Sequence, residues 1–490
     1  MKYKKRLSRL GDYKRVKGIL VAPLNLALGD RLKLSSWAKE RMPEYLWLGL
    51  ILIKYGRDEG FERARRILLE ISEKVKPLRH PRLSMIFSLS TDQEKEVYKI
   101  ICRHIDKETL SPLTILYKSL QYPNFNEFFF VTHLAVEERI DALSEAIDLY
   151  VPHQSDEATD LRFLSLSLLL FSGKLHFVRG TEMTINAIQE YAYTSHASEK
   201  MKLYRSIIRS TEGGMTMEEY DKEFSLNFWR NIGMLISCSP TKIAYQENIN
   251  NYNEFIDDYR KALEYVLYSN KDKSITDDRF VVIIGSVNFA LKIFSEIDTK
   301  ELGSSILGRH GIRSIIEVYI MLKYLLKKEA EKPEIWREYK LYGISKYQLI
   351  LLKAREYEFS DKTSHFQPPV TDLLVNEFMA EELINVDLRY FDNQTIREKS
   401  ELAGEKRLYD LFYDYDTNFS HGLWGAIREG AMIRCDNASH HFHAIPDLYA
   451  NQTLPDVKSD SLKILQMVFK LFSELYETPS WFVDKYELGK

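Results

Sequence analysis

The chain has 490 residues, enough for two or three domains that each bury a sizeable core. Its 68 basic and 71 acidic residues nearly cancel, which excludes a global field drawing it to nucleic acid or to a membrane surface. Three cysteines, odd in number and far apart at Cys102, Cys238 and Cys435, argue against a disulfide framework and for a reducing compartment.

Glycine and proline are sparse, at 21 and 14, and Leu, Ile, Glu, Lys and Tyr dominate. That composition favours helix over sheet. The expected class is all-α: an N-terminal array of helical hairpins followed by a C-terminal helical bundle. The longest apolar runs, Tyr45–Ile53 and Phe163–Phe171, are about half of the ~20 residues a membrane span needs. No secretory signal opens the chain, so the expected address is the cytoplasm, with no membrane contact.

In chain order, residues 1–30 form a basic arm, whose first 20 residues carry Lys2, Lys4, Lys5, Arg6, Arg9, Lys14, Arg15 and Lys17 against Asp12. Such an arm is a solvated tail or a touch-point for an acidic partner. A helical domain is expected over 31–270. Pro43 suits a first turn ahead of Tyr45–Ile53, and 58–76 reads as an amphipathic helix. Thr91 to Glu94 spells a capping box. Helices follow at about 128–150, 157–173, 181–209, 216–236 and 241–268, with a breaker at Glu212–Met217. The polar run Tyr268–Asp278 is the predicted linker, which makes 278–490 a second domain. Phe280–Ile284 tempts as a strand but continues into a helix. Pro368 and Pro369 mark a surface loop, and helices are expected at 377–388, 400–414, 418–434 and 462–476.

The segment 304–328 stands apart. At ~100° per residue, Ile306, Arg309, Arg313, Ile316, Glu317, Ile320 and Tyr324 share one stripe, while Leu307, Ile315, Val318, Leu322 and Leu325 lie opposite. A helix apolar on all sides is buried, so its charges need partners. Arg313 and Glu317 stand one turn apart and can pair, which leaves Arg309 in search of one. Gly308 and Gly311 allow close approach of another backbone. Two readings stay open: a structural ion pair, or an anion pocket in which Arg309 and Arg313 bind phosphate.

The order of Arg309, Arg313, Glu317 and Tyr324, then Tyr409, Tyr413, Ser420, His421 and Gly422, resembles a bacterial family defined as a domain of unknown function. The resemblance covers about the last 200 residues and brings no activity. It implies one cluster of Arg313, Glu317 and His421, in which the imidazole can act as acid or base beside a phosphate-holding arginine.

Arg434 and His440, with five residues between them, also resemble the motif of the HEPN superfamily. That resemblance implies metal-independent RNA cleavage, with Arg434 on phosphate and His440 moving a proton, and a homodimer facing one cleft. Cys435 and the loop 436–443 depart from the pattern. Expected partners are then RNA or a nucleotide, and the setting defence against phage. The alternative is a non-enzymatic scaffold whose grooves take a protein partner. Cys435, His440, His441 and His443 carry ligand chemistry, but tetrahedral zinc normally draws on two paired positions, and no Cys-x2-Cys partner exists. The expectation is therefore no metal and no cofactor, with Glu317, His421, Arg434 and His440 as the catalytic candidates.

Overall fold

The computed structural model describes residues 8–29, 35–117, 122–176, 180–214, 220–246, 248–359, 361, 363–441 and 443–487. The chain is predominantly helical, as its composition requires, with a few very short strands. It divides into two compact units: residues 1–240 with 434–443, and residues 241–433 with 444–490.

In the first unit, Met42–Tyr55 is apolar on all sides, and its residues 42–52 are buried. It forms a hairpin with Arg57–Lys74 and also packs on Val136–Tyr150 and Asp156–Phe171. Gly49 permits one of these contacts. A Cβ there would lie 2.5 Å from the Tyr150 ring, and the Tyr150 hydroxyl donates to the Gly49 carbonyl at 3.0 Å. Pro43 sits in the first turn, as expected. The capping box at Thr91 does not form: the helix begins at Thr91 itself after Ser90, and Glu94 accepts instead from Tyr98 and Asn124, each at 2.6 Å. The breaker expected at Glu212 is also displaced, because Glu199–Gly214 is one continuous helix; residues 215–217 lie outside the described residues. Of the basic arm, residues 1–7 lie outside the described residues, while Lys14–Val16 and Ile19–Val21 pair as an exposed antiparallel hairpin.

Glu212 anchors a buried charge cluster that no local spacing announces. Arg41 Nη1 donates to its carboxylate at 2.6 Å and Arg162 Nη1 at 3.1 Å. Both guanidiniums lie over the ring of Trp37, at 5.7 and 4.3 Å from its centroid.

In the second unit, Asn253–Ser269, Asp278–Thr299, Ile306–Lys328 and Lys458–Ser473 enclose the core. The polar run 268–278, which carries the short helix Lys273–Thr276, lies inside this unit rather than between the two. Phe255 and Tyr259, which precede it, pack against Phe482 and Phe469, the first pair tilted and the second edge to face. Asp277 simply caps the next helix through the amides of Arg279 and Phe280. The prolines 368 and 369 start the helix Pro368–Phe378, and of the helix expected at 377–388 only the end of that element and the short turn Glu381–Leu383 form.

Among the described residues, Asp278–Thr299 is the one helix long and apolar enough to cross a membrane. Phe280, Ile283, Val287, Ala290, Leu291, Phe294 and Ile297 bury one of its faces in the core.

Candidate functional site: the arginine helix and the cleft beside it

Ser305 starts the arginine helix, its hydroxyl accepting from the Gly308 amide at 3.1 Å. Arg313 and Glu317 pair as their spacing predicts, at 3.4 Å. Arg313 also donates from Nε to Thr417 Oγ1 (3.2 Å) and from Nη2 to the Tyr413 hydroxyl (2.5 Å). Glu317 accepts from Tyr413 and Tyr390, each at 3.0 Å. The missing partner of Arg309 is Asp416: its carboxylate lies 3.7 Å from Nη1, while Nη2 donates to the Pro455 carbonyl at 2.9 Å. The Arg309 guanidinium lies over Tyr415 and Phe419. Both arginines are thus held by groups of their own unit, in the manner of a structural network.

Asp416 is fully buried and no donor comes within hydrogen-bonding distance of its Oδ1. Burial pushes its carboxyl up to about 7, against the opposing pull of Arg309. A carboxyl whose folded value is raised binds its proton in the folded state at pH 4–7, where the unfolded chain has released it. Its contribution to stability is therefore greatest below about pH 4 and falls as pH rises to 7. Asp416→Asn is expected to flatten this slope, by on the order of 2–4 kcal/mol across the window. Amide exchange in Ile306–Lys328 measured at pH 4.5 and 7.5 checks it.

The predicted catalytic residues do not form one hydrogen-bonded set. His421 ends the helix Asp414–Ser420, is exposed and makes no side-chain hydrogen bond. The imidazole bonded across to that helix is His310, whose Nδ1 lies 3.3 Å from Ser420 Oγ. Arg434 and His440 belong to the first unit. Arg434 is exposed and paired with Asp436 at 2.6 Å. His440 instead turns Nδ1 towards Cys238 Sγ (3.3 Å) and Cys435 Sγ (3.7 Å). His443 Nε2 lies 3.3 Å from Cys238 Sγ, and the four ligand atoms of Cys238, Cys435, His440 and His443 fall within 4.8 Å of one another. His441 leaves the group and packs on Trp229. The metal-ligand set weighed from sequence is thus altered in one place, His441 giving way to Cys238. No spacing signal reaches Cys238, which lies 202 residues before His440. The clue in the sequence was the free cysteine itself.

Beside the arginine helix lies a cleft of about 820 Å³, walled by Asp278–Thr299, Ile306–Lys328, Ile335–Glu356 and Pro368–Phe378. Val282, Val318 and Met321 form its floor; Phe289, Tyr347 and Leu374 line it while remaining 55, 49 and 39 % exposed. The second apolar face of Asp278–Thr299 opens here through Val281, Val282 and Phe289. Two carboxylates, Glu317 and the exposed Glu377, line the cleft, and its lysine, Lys340, is tied to Asp278 at 2.5 Å. This site was not anticipated; the signal for it was a long helix apolar on more faces than one core can cover.

Residues 281–440 match a family of unknown function (DUF5677). That range holds the arginine helix, the cleft and the Arg434–His440 segment, in keeping with the resemblance to an uncharacterised domain. No curated protein and no solved structure matches the chain.

Proposed function

We propose that the chain is a non-enzymatic helical recognition protein whose cleft beside the arginine helix takes an amphipathic, basic segment of a partner protein. The observation that carries this reading is the second apolar face of Asp278–Thr299, which leaves Phe289 exposed among Tyr347 and Leu374. Exposed contiguous apolar surface marks interaction sites, and a helix laid in a groove anchors itself through residues three and four apart. The exposed Glu377 favours a cationic residue on the incoming segment, because Lys340 is already neutralised by Asp278 and Glu317 is paired with Arg313. RNA or nucleotide handling has weaker support. Arg309 and Arg313 bond within their unit, Arg434 is paired with Asp436, and His440 faces sulfur.

The test is fluorescence anisotropy with a labelled model helix bearing leucines on one face and lysines on the other. The expected result is saturable binding that weakens at least tenfold in Phe289→Glu/Leu374→Glu, two exposed positions whose substitution leaves the core intact. Equal binding by the variant, or by a glutamate-bearing version of the helix, would contradict the reading.

A further inference from the structure

The first unit holds the second chemically distinctive site. Its segment Arg434–His443 is built into the unit by backbone bonds. The Asp436 amide donates to the Ser239 carbonyl at 2.8 Å, and the Cys435 amide to the His443 carbonyl at 2.9 Å. Asn437 Nδ2 reaches the Ser237 carbonyl at 3.3 Å. Ala438 is buried in the first core, and Ser439 is buried beside it. His441 takes a left-handed backbone (φ 56°), so the chain reverses between His440 and His443. Both imidazoles then face the same sulfur. Two elements far apart in the chain are thereby brought to one point.

Three S···N contacts of 3.3, 3.3 and 3.7 Å join two sulfurs to two ring nitrogens. Two cysteines and two histidines gathered at this spacing are the donor set of a tetrahedral zinc site. With Zn–S near 2.3 Å and Zn–N near 2.0–2.1 Å, a tetrahedron has S···N edges of about 3.5 Å and an S···S edge of about 3.8 Å. The observed contacts bracket the first value, and the largest separation in the set, 4.8 Å, needs about 1 Å of closure. The Ser239 amide, 3.4 Å from Cys435 Sγ, supplies the N–H that steadies a thiolate.

We infer that Cys238, Cys435, His440 and His443 bind one Zn2+ ion through Sγ, Sγ, Nδ1 and Nε2. Two thiolates and two imidazoles in a tetrahedral array select zinc among the common divalent ions. Binding releases the two thiol protons, so the site goes from neutral with a free dication to a neutral complex. Four protein ligands leave no open position, which makes the ion structural rather than catalytic. It closes a loop of about 200 residues and fixes Arg434–His443 where the chain re-enters the first unit. This inference is independent of the reading of the cleft.

The test begins with the full chain purified without chelator. Elemental analysis is expected to give one zinc per chain. Cobalt replacing it is expected to show the intense visible bands of tetrahedral Co2+ and a thiolate charge-transfer band. Cys238→Ser and His443→Ala should each weaken Co2+ binding at least tenfold, whereas Cys102→Ser leaves it unchanged. Chelation should abolish the amide protection of residues 434–443. Overturning results are a chain free of metal that gives no tetrahedral cobalt spectrum, a Cys238–Cys435 disulfide in the native protein, or a Cys238→Ser variant that binds cobalt like the wild type. If Cys238→Ser fails to fold, the wild-type cobalt spectrum alone decides: the thiolate band supports the site and its absence ends it.

Discussion

Glu212→Gln is expected to destabilise the first unit by about 3–5 kcal/mol, the usual consequence of removing one partner from a buried ion pair. The substitution keeps the shape and removes the charge. Arg41 and Arg162, both buried with their Nε atoms unpartnered, then face each other without a carboxylate. Burial already pulls the Arg162 guanidinium down to about 10, and the Coulombic support that Glu212 gives it would be lost. Native-state hydrogen exchange in Met42–Tyr55 reads the loss, and the double variant Glu212→Gln/Arg162→Met should recover part of it. A change below about 1 kcal/mol would show that solvent reaches the cluster.

The second large effect concerns Gly308. A Cβ there would lie 2.3 Å from the Leu302 carbonyl oxygen and 3.2 Å from that of Gly303. Backbone has no rotamer with which to move aside. Gly308→Ala should therefore cost about 3 kcal/mol, at the upper end for overpacking, despite the better helix propensity of alanine. Gly285 is the control, because a Cβ there meets nothing within 4 Å. Gly285→Ala should be neutral or stabilising by up to ~1 kcal/mol. Thermal melts of the two variants side by side check the contrast. Equal melting temperatures would mean that the helix start at Ser305 shifts to make room.

The legible parts of this chain are the local ones. Helical periodicity placed helices at about 278–297 and over 304–328, the one-turn spacing paired Arg313 with Glu317, and Gly308 was expected to allow a close backbone approach. Each of these depends on residues within a few turns. Pairings across the chain carry no such signature. Arg309 is 146 residues from Pro455, Arg41 is 171 from Glu212, and Cys238 is 202 from His440. The run 268–278 lies inside one compact unit and carries the short helix Lys273–Thr276. Polarity does not distinguish a solvated connection inside one unit from a passage between two. The capping box failed because Ser90 stands just ahead of Thr91, so both residues offer a plausible start and only the path of the chain chooses between them.

The cleft was hidden by the same locality. Asp278–Thr299 is apolar because one side enters the core and another lines open space, and a sequence records only that both sides are apolar. The arginines beside it drew attention as charges, yet in the fold they are framework. Chemistry directed outward rests with exposed apolar side chains and the exposed carboxylate of Glu377.

The most direct measurement of that claim is methyl NMR on the chain labelled at Met, Leu and Val, titrated with the leucine- and lysine-bearing helix. The account predicts saturable shifts of the Met321, Val282, Val318 and Leu374 methyls, with the methyls of the first unit unmoved. Shifts that avoid these four residues, or that spread evenly over both units, would contradict it.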